Sequence, residues 1–335
     1  MREPPYATVL KPYGAALVEL ARQRPEIICI GADLTRQTET DLFRDELPDR
    51  FVNIGMAEAN MISVAGGLAR AGRVVFVNTF GVFSTRRCFD QIAMSVAYPN
   101  LNVKIVGFMP GLSSPGGPSH QAIEDVALMR ALPNFTVIEP ADAVETKQAV
   151  AAIAARPGPV YLRLKRGEIP VIFDDSYRLD LRKAQIVVGG EGCELCIVAS
   201  GMMLSAALAA ARTLIENGVS AAVLNAPVIK PFDEATVLAV ARASRLVITA
   251  ENHTIIGGLG SAVAEVLAEA GLAVPLRRIG IADTFAEAGS REYLFAKYGL
   301  GTQDIVNAAW DGLKINRPPP LARVVEQSPG VYAPV

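Results

Sequence analysis

The feature that most narrows the fold is a repeated switch of hydrophobic period, helix-like and then strand-like, along almost the whole chain. Residues 7–23 place Val9, Tyr13, Ala16, Leu17 and Leu20 at helical spacing, and the apolar run Glu26 to Gly31 then ends at Ala32-Asp33-Leu34. The same alternation recurs as helices over 57–71, 86–97, 122–131 and 142–155, interleaved with strands at 74–77, 103–107, 136–138 and 160–164. Such alternation predicts a parallel sheet covered by helices on both faces. Ligands of these sheets bind beyond the carboxyl ends of the strands. Asp33, Phe80 and the loop 108–120 each follow a strand, so they are expected on one rim.

Periodicity lapses into charged, glycine-containing sequence from Lys165 to about Gly192 and then resumes. The second unit carries strands at 195–199, 221–224, 245–249 and 274–279, and helices at 203–217, 233–241, 258–270 and 302–313. A chain of 335 residues is long enough for two cores. The expectation is therefore an α/β protein of two doubly wound domains, residues 1–166 and 193–314, joined by a linker over 167–192. The tail 315–335, with Arg317-Pro318-Pro319-Pro320, is expected to be extended.

The charges exclude some partners. Lys and Arg number 32 against 34 Asp and Glu, a net charge of −2 spread without blocks, so neither nucleic acid nor an anionic membrane is the expected partner. No apolar run approaches the ~20 residues that span a bilayer. The start Met1-Arg2-Glu3-Pro4-Pro5 leads into an amphipathic segment, not a signal-peptide core. Cys29, Cys88, Cys193 and Cys196 lie in apolar segments without a disulfide framework's spacing, which fits a reducing compartment. The expected location is cytoplasmic.

Two motifs carry little. Gly257-Gly258-Leu259-Gly260 lacks the full dinucleotide fingerprint. Cys193-Glu194-Leu195-Cys196 has redox spacing but opens a strand, and reads as core filler.

The stretch Arg50 to His120 is richer. Glu58 heads a helix whose neighbours Met56, Met61, Ile62, Val64 and Ala65 form an apolar stripe. A carboxylate in a first helical turn gains ~0.3–1 kcal/mol from the dipole without any chemistry. Burial favours its neutral form instead, as a carboxyl sharing a proton with a ligand nitrogen requires. Phe80 and Phe83 are by default core aromatics. His120 follows the turn Pro115-Gly116-Gly117-Pro118, which can bring backbone close to a ligand, and ranks above the other histidine, His253.

At these residues the chain resembles the C-terminal half of transketolase, in the form found as a separate small subunit of split transketolases. Gly55-Met56-Ala57-Glu58 matches the family's Gly-x-x-Glu, Thr79-Phe80-Gly81-Val82-Phe83 its Thr-Phe-x-x-Phe, and Gly117-Pro118-Ser119-His120-Gln121 its Gly-x-Thr-His-Gln. Pro140-Ala141-Asp142 and Gly257 to Ser261 match later family stretches, and the similarity runs from about residue 7 to 313. Order and spacing together make the match specific.

The resemblance implies a mainly parallel pyrimidine-binding sheet, followed by a smaller C-terminal-type domain with a mixed sheet. It also implies a thiamine-diphosphate enzyme moving a two-carbon ketol unit from a ketose to an aldehyde. Glu58 would hydrogen-bond N1′ of the aminopyrimidine, and proton removal from the thiazolium C2 would create the nucleophile. Ile54, Phe80, Phe83 and Arg86 would line the pyrimidine, Asp33 would lie beside the thiazolium, and His120 would bind the donor and help move protons. No Gly-Asp-Gly occurs in the chain, so the diphosphate and its Mg²⁺ would sit mainly on a separate N-terminal subunit, in an α2β2 assembly.

Departures from the family bear on the substrate. Arg86 stands where a third aromatic is usual, Phe108 and Gly116 where His and Asp are usual, and Leu10 and Gln37 where a phosphate-binding Arg and Ser are usual. Arg166, with Arg163 nearby, remains to hold an anion. Each charge-assisted bond lost removes ~1.5–3 kcal/mol. An altered phosphate pocket follows, with a non-phosphorylated, sulfonated or unusual ketose, or a 2-oxo acid, as donor. The alternatives are a beta-type subunit of a 2-oxo acid-decarboxylating enzyme, a relative of deoxyxylulose-phosphate synthase, or a non-catalytic regulatory subunit.

Overall fold

A computed structural model describes residues 1–315 of the chain. Its larger sheet has seven strands in the order Val228–Lys230, Thr136–Ile138, Val160–Leu164, Val103–Phe108, Val74–Phe80, Ile27–Gly31 and Phe51–Asn53. All neighbours are parallel except the pairing of Val228–Lys230 with Thr136–Ile138. Every residue of Val74–Phe80 and Val103–Phe108 is buried. These runs are apolar almost throughout because helices cover both faces. Tyr13, Leu17, Val150 and Ile153 pack on one face, and Met61, Ile62, Ile92 and Val96 on the other.

Register sets the site. Gly31 pairs with both Asn53 and Asn78, and Phe80 with Phe108, so these strands end abreast. The segments leaving them carry Asp33, Ile54, Phe83 and the loop 108–120 to one rim, as the alternation predicts.

The second sheet has five strands in the order Leu276–Ile281, Leu246–Thr254, Leu195–Ala199, Ala221–Asn225 and Gln185–Val188. It is mixed, with Gln185–Val188 antiparallel at one edge. Helices Met203–Glu216, Glu234–Ala241, Leu259–Glu269 and Thr302–Leu313 cover it.

Several details differ from the sequence reading, among them the unexpected helix Asp41–Glu46 and edge strand Phe51–Asn53. The segment expected as linker contains two strands, Gln185–Val188 and Glu168–Pro170, the latter pairing antiparallel with Thr8–Leu10. The first helix accordingly starts at Pro12, whose missing N–H suits a first helical position. Val228–Lys230 leaves the second unit to extend the first sheet; a three-residue strand between Pro227 and Pro231 is too short for a period of two to register. A helix at Arg291–Tyr298, capped by the Ser290 side chain, was not anticipated. The proline-rich tail lies outside the described residues apart from Ile315. Among the described residues no helix is long and apolar enough to cross a membrane.

Candidate functional site

Glu58 opens the helix Glu58–Arg70, and Gly55, at φ +77°, turns the chain into it. Met61, Ile62 and Ala65 of this helix pack against the sheet, and Glu58 is only 4% exposed. Met56, expected in the same apolar stripe, is 83% exposed because it precedes the helix and lies off its packed face.

Across from Glu58, Phe80 and Phe83 stack with centroids 5.9 Å apart and planes 26° from parallel. The His120 ring meets Phe83 edge-on at 5.3 Å, and its Nδ1 lies 2.9 Å from Ser119 Oγ. The Arg87 guanidinium lies 3.9 Å above the Phe83 centroid and donates to Glu58 Oε1 at 2.8 Å. A buried carboxylate, an aromatic shelf and an imidazole thus converge. Such a site suits a flat heteroaromatic ring that stacks on Phe83 and exchanges a proton with Glu58.

Asp33 sits at the same rim with left-handed backbone at φ +59°. Asn53, which the sequence did not single out, braces this rim. Its Nδ2 donates to Asp33 Oδ1 at 2.6 Å, and its Oδ1 accepts from the Asp33 and Gly55 amides at 3.1 and 3.2 Å. The Ile54 amide donates to the Gly31 carbonyl at 3.0 Å and fixes the turn before Gly55. Gln37 is half-buried in the turn region 35–40.

Arg86, expected to line the pyrimidine, turns the other way. It donates to Glu124 at 2.9 Å and to the Pro118 carbonyl at 3.4 Å, bracing the loop that carries His120. Adjacent residues on a tight turn face different directions, so Arg87 takes the ring-facing position. The second domain also holds this loop. Asn252 accepts from the Leu112 amide at 2.9 Å and donates to the Pro110 carbonyl at 3.0 Å, while Gln121 donates to the Glu287 carbonyl at 3.0 Å. At Gly111 (φ +53°) a Cβ would stand 2.2 Å from the Asn252 carbonyl oxygen, so only glycine fits.

Arg163, expected near the substrate, is enclosed by protein groups. It is fully buried, donating to Asp125 at 2.8 Å, Glu139 at 2.6 Å and the Asn252 carbonyl at 2.9 Å. A guanidinium so enclosed by carboxylates ties the two domains together and has no edge left for a ligand anion. Burial alone would raise the Asp125 carboxyl, but Arg163 holds it below the usual range. His253 belongs to this network, and burial lowers its imidazole to about 4. Phe108, also expected near the substrate, lies in the core. It is fully buried, edge-on against Tyr13 at 5.5 Å. Arg166 is exposed beside Met109 and lines an open cleft with Thr8, Lys165, Glu168, Pro170 and Arg291. Burial and the nearby Arg291 lower the Lys165 ammonium's pKa.

Comparison with known proteins agrees with this architecture. Residues 6–171 match the family described as transketolase, pyrimidine binding domain, and residues 183–305 the one described as transketolase, C-terminal domain. A putative uncharacterized transketolase family protein of Sinorhizobium fredii is 46% identical, covering 88% of this chain and 86% of its own. A 6-deoxy-6-sulfo-D-fructose transketolase subunit of a Clostridium species is 43% identical, with 89% and 92% covered. Among solved structures, a split gene transketolase described as an inactive beta4 tetramer superposes with a TM-score of 0.84 at 42% identity, covering 93% of this chain and all of that one. The transketolase of Campylobacter jejuni shares the fold at 21% identity and a TM-score of 0.76, with this chain spanning 47% of it. The chain therefore belongs to the transketolase family, of which it carries the pyrimidine-binding and C-terminal domains.

Proposed function

We propose that this chain is the small subunit of a heteromeric, thiamine-diphosphate-dependent transketolase-like enzyme, moving a two-carbon ketol unit from a ketose donor to an aldehyde acceptor. The observation that carries the reading is Glu58, a buried carboxylate facing the Phe80–Phe83 shelf with His120 at its edge. The residues fit the cofactor's aminopyrimidine. The Arg87 guanidinium, itself flat and an N–H donor, already stacks on Phe83 and bonds to Glu58, so a flat donor is accommodated there. They do not fit its other end. The sequence has no Gly-Asp-Gly, and among the described residues no group of three or more His, Cys, Asp or Glu is arranged to hold a metal. The diphosphate and Mg²⁺ are thus assigned to an N-terminal partner subunit, in an α2β2 assembly. The structural relative described as an inactive beta4 tetramer supports the view that such a chain needs its partner.

When bound, thiamine diphosphate supplies the nucleophilic carbon that carries the ketol fragment. Glu58 holds the proton at N1′, and its burial makes that hydrogen bond strong. Phe80 and Phe83 exclude water from the pyrimidine face. His120 binds the donor's carbonyl or hydroxyl oxygen through Nε2 and moves a proton there, its ring oriented by Ser119. Asp33, held by Asn53, would supply a carboxylate beside the thiazolium.

The donor pocket is altered from the usual phosphate site. With Arg163 withdrawn, Arg166, Lys165 and Arg291 form the cationic end of the cleft. An anionic ketose is the reading this favours, and relatives named for a sulfofructose and for apulose-4-phosphate are consistent with it. The test mixes the chain with its large partner, thiamine diphosphate and Mg²⁺. Ketose consumption without CO2 release supports the proposal, and pyruvate consumption with CO2 release overturns it.

A further inference from the structure

We propose that Arg87 is a stand-in for the aminopyrimidine, occupying its place until the cofactor arrives and then swinging out. The proposal rests on the reading of Glu58 as the pyrimidine's partner. Two contacts define what the place binds. One is the face of Phe83, covered by the Arg87 guanidinium at 3.9 Å, and the other is Glu58 Oε1, bonded by Nη1 at 2.8 Å. A guanidinium is planar, cationic and lined with N–H donors. The N–C–N edge of a pyrimidine protonated at N1′ presents the same flat face and the same donor. At van der Waals contact with Phe83 no gap remains for a second ring, so guanidinium and pyrimidine exclude each other.

The stand-in has a physical purpose. Glu58 is nearly fully buried, and a carboxylate there without a counter-charge would be costly. Arg87 supplies the counter-charge while its own side chain stays 48% exposed, so leaving requires no unfolding. The neighbouring Arg86 cannot substitute, being held by Glu124 and Pro118. A residue that blocks the site in most molecules lowers apparent cofactor affinity to the fraction of molecules left open. A half-buried ion pair together with a cation–π contact makes that factor about tenfold.

The test titrates thiamine diphosphate, with Mg²⁺, into the assembled apo complex and reads affinity by calorimetry. Arg87→Met removes the competing donor and is expected to bind about tenfold tighter than wild type. Arg87→Lys keeps a cation for Glu58 but loses the planar stack, and is expected to shift the same way by less; it covers the case in which Arg87→Met folds poorly. Unchanged or weaker affinity in the folded variants overturns the proposal, because Arg87 would then be an ordinary partner of Glu58 or of the bound cofactor. Glu58→Ala separates the two ideas. Unchanged affinity and turnover in that variant would reject the underlying site, whereas loss in Glu58→Ala with no gain at Arg87 rejects the stand-in alone.

Discussion

Replacing Arg163 by leucine tests whether this side chain joins the domains or holds a substrate anion. It bonds Asp125 and Glu139 at 2.8 and 2.6 Å with all three side chains almost fully buried, and it also caps the Asn252 carbonyl at 2.9 Å. Removing one partner of a buried pair costs about 3–5 kcal/mol, because the carboxylates left behind are neither solvated nor neutralised. The loss depends on pH. In the wild type Asp125 has a lowered folded value, so its contribution is present above its unfolded value and fades as pH falls through the folded one. In the variant the stranded carboxyl is raised instead, and its penalty disappears once it is protonated. The gap between the two proteins should therefore be widest near pH 7 and shrink toward pH 4. Urea unfolding followed by circular dichroism at both pH values measures it, with Arg163→Leu/Asp125→Asn/Glu139→Gln expected to recover most of the loss. A gap under about 1 kcal/mol at pH 7, combined with a raised donor KM, would refute the reasoning and return Arg163 to the substrate site.

Other outcomes follow from neighbouring parts of the structure. Arg166→Ala should raise the KM for an anionic donor by about tenfold or more, the worth of one charge-assisted bond, and leave thermal stability nearly unchanged, read by steady-state kinetics and a melting curve. Gly111→Ala should destabilise by at least about 2 kcal/mol in urea unfolding, since it adds a Cβ at φ +53° and 2.2 Å from the Asn252 carbonyl oxygen. Burial, and to a lesser degree Arg156, lowers Lys104 to about 7 from 10.5. Between those values the unfolded chain binds more protons, so wild-type stability gains from this residue as pH rises, at up to about 1.4 kcal/mol per pH unit. Lys104→Met should lack that gain, which denaturation midpoints at pH 7.5 and 9.5, compared with wild type, would reveal.

Much of the scaffold was legible because helical and strand periods alternate cleanly, and because carboxyl-end loops of parallel strands must gather on one rim. Glu58 was legible for a similar reason, since Met61, Ile62 and Ala65 announce a buried face beside it. What escaped was whatever depends on a long-range partner. Val228–Lys230 joins the other domain's sheet through a pairing no local pattern encodes. Arg163 reads as an available cation until Asp125 and Glu139, 38 and 24 residues away, close around it. Arg86 and Arg87 are chemically identical in sequence, and only the turn Arg86–Cys88 decides which one faces Phe83. Asn53 gave no signal because its value lies in bonds to Asp33 and Gly55 across a turn.

The central claim is that Glu58 controls proton release at the cofactor's C2. The most direct measurement is the rate of deuterium exchange at C2 of thiamine diphosphate, followed by proton NMR after acid quench, in the complex of this chain with its large partner. A general acid–base role predicts that Glu58→Gln slows exchange by at least about a hundredfold while the complex stays assembled. Exchange in Glu58→Gln as fast as in the wild type would contradict the account.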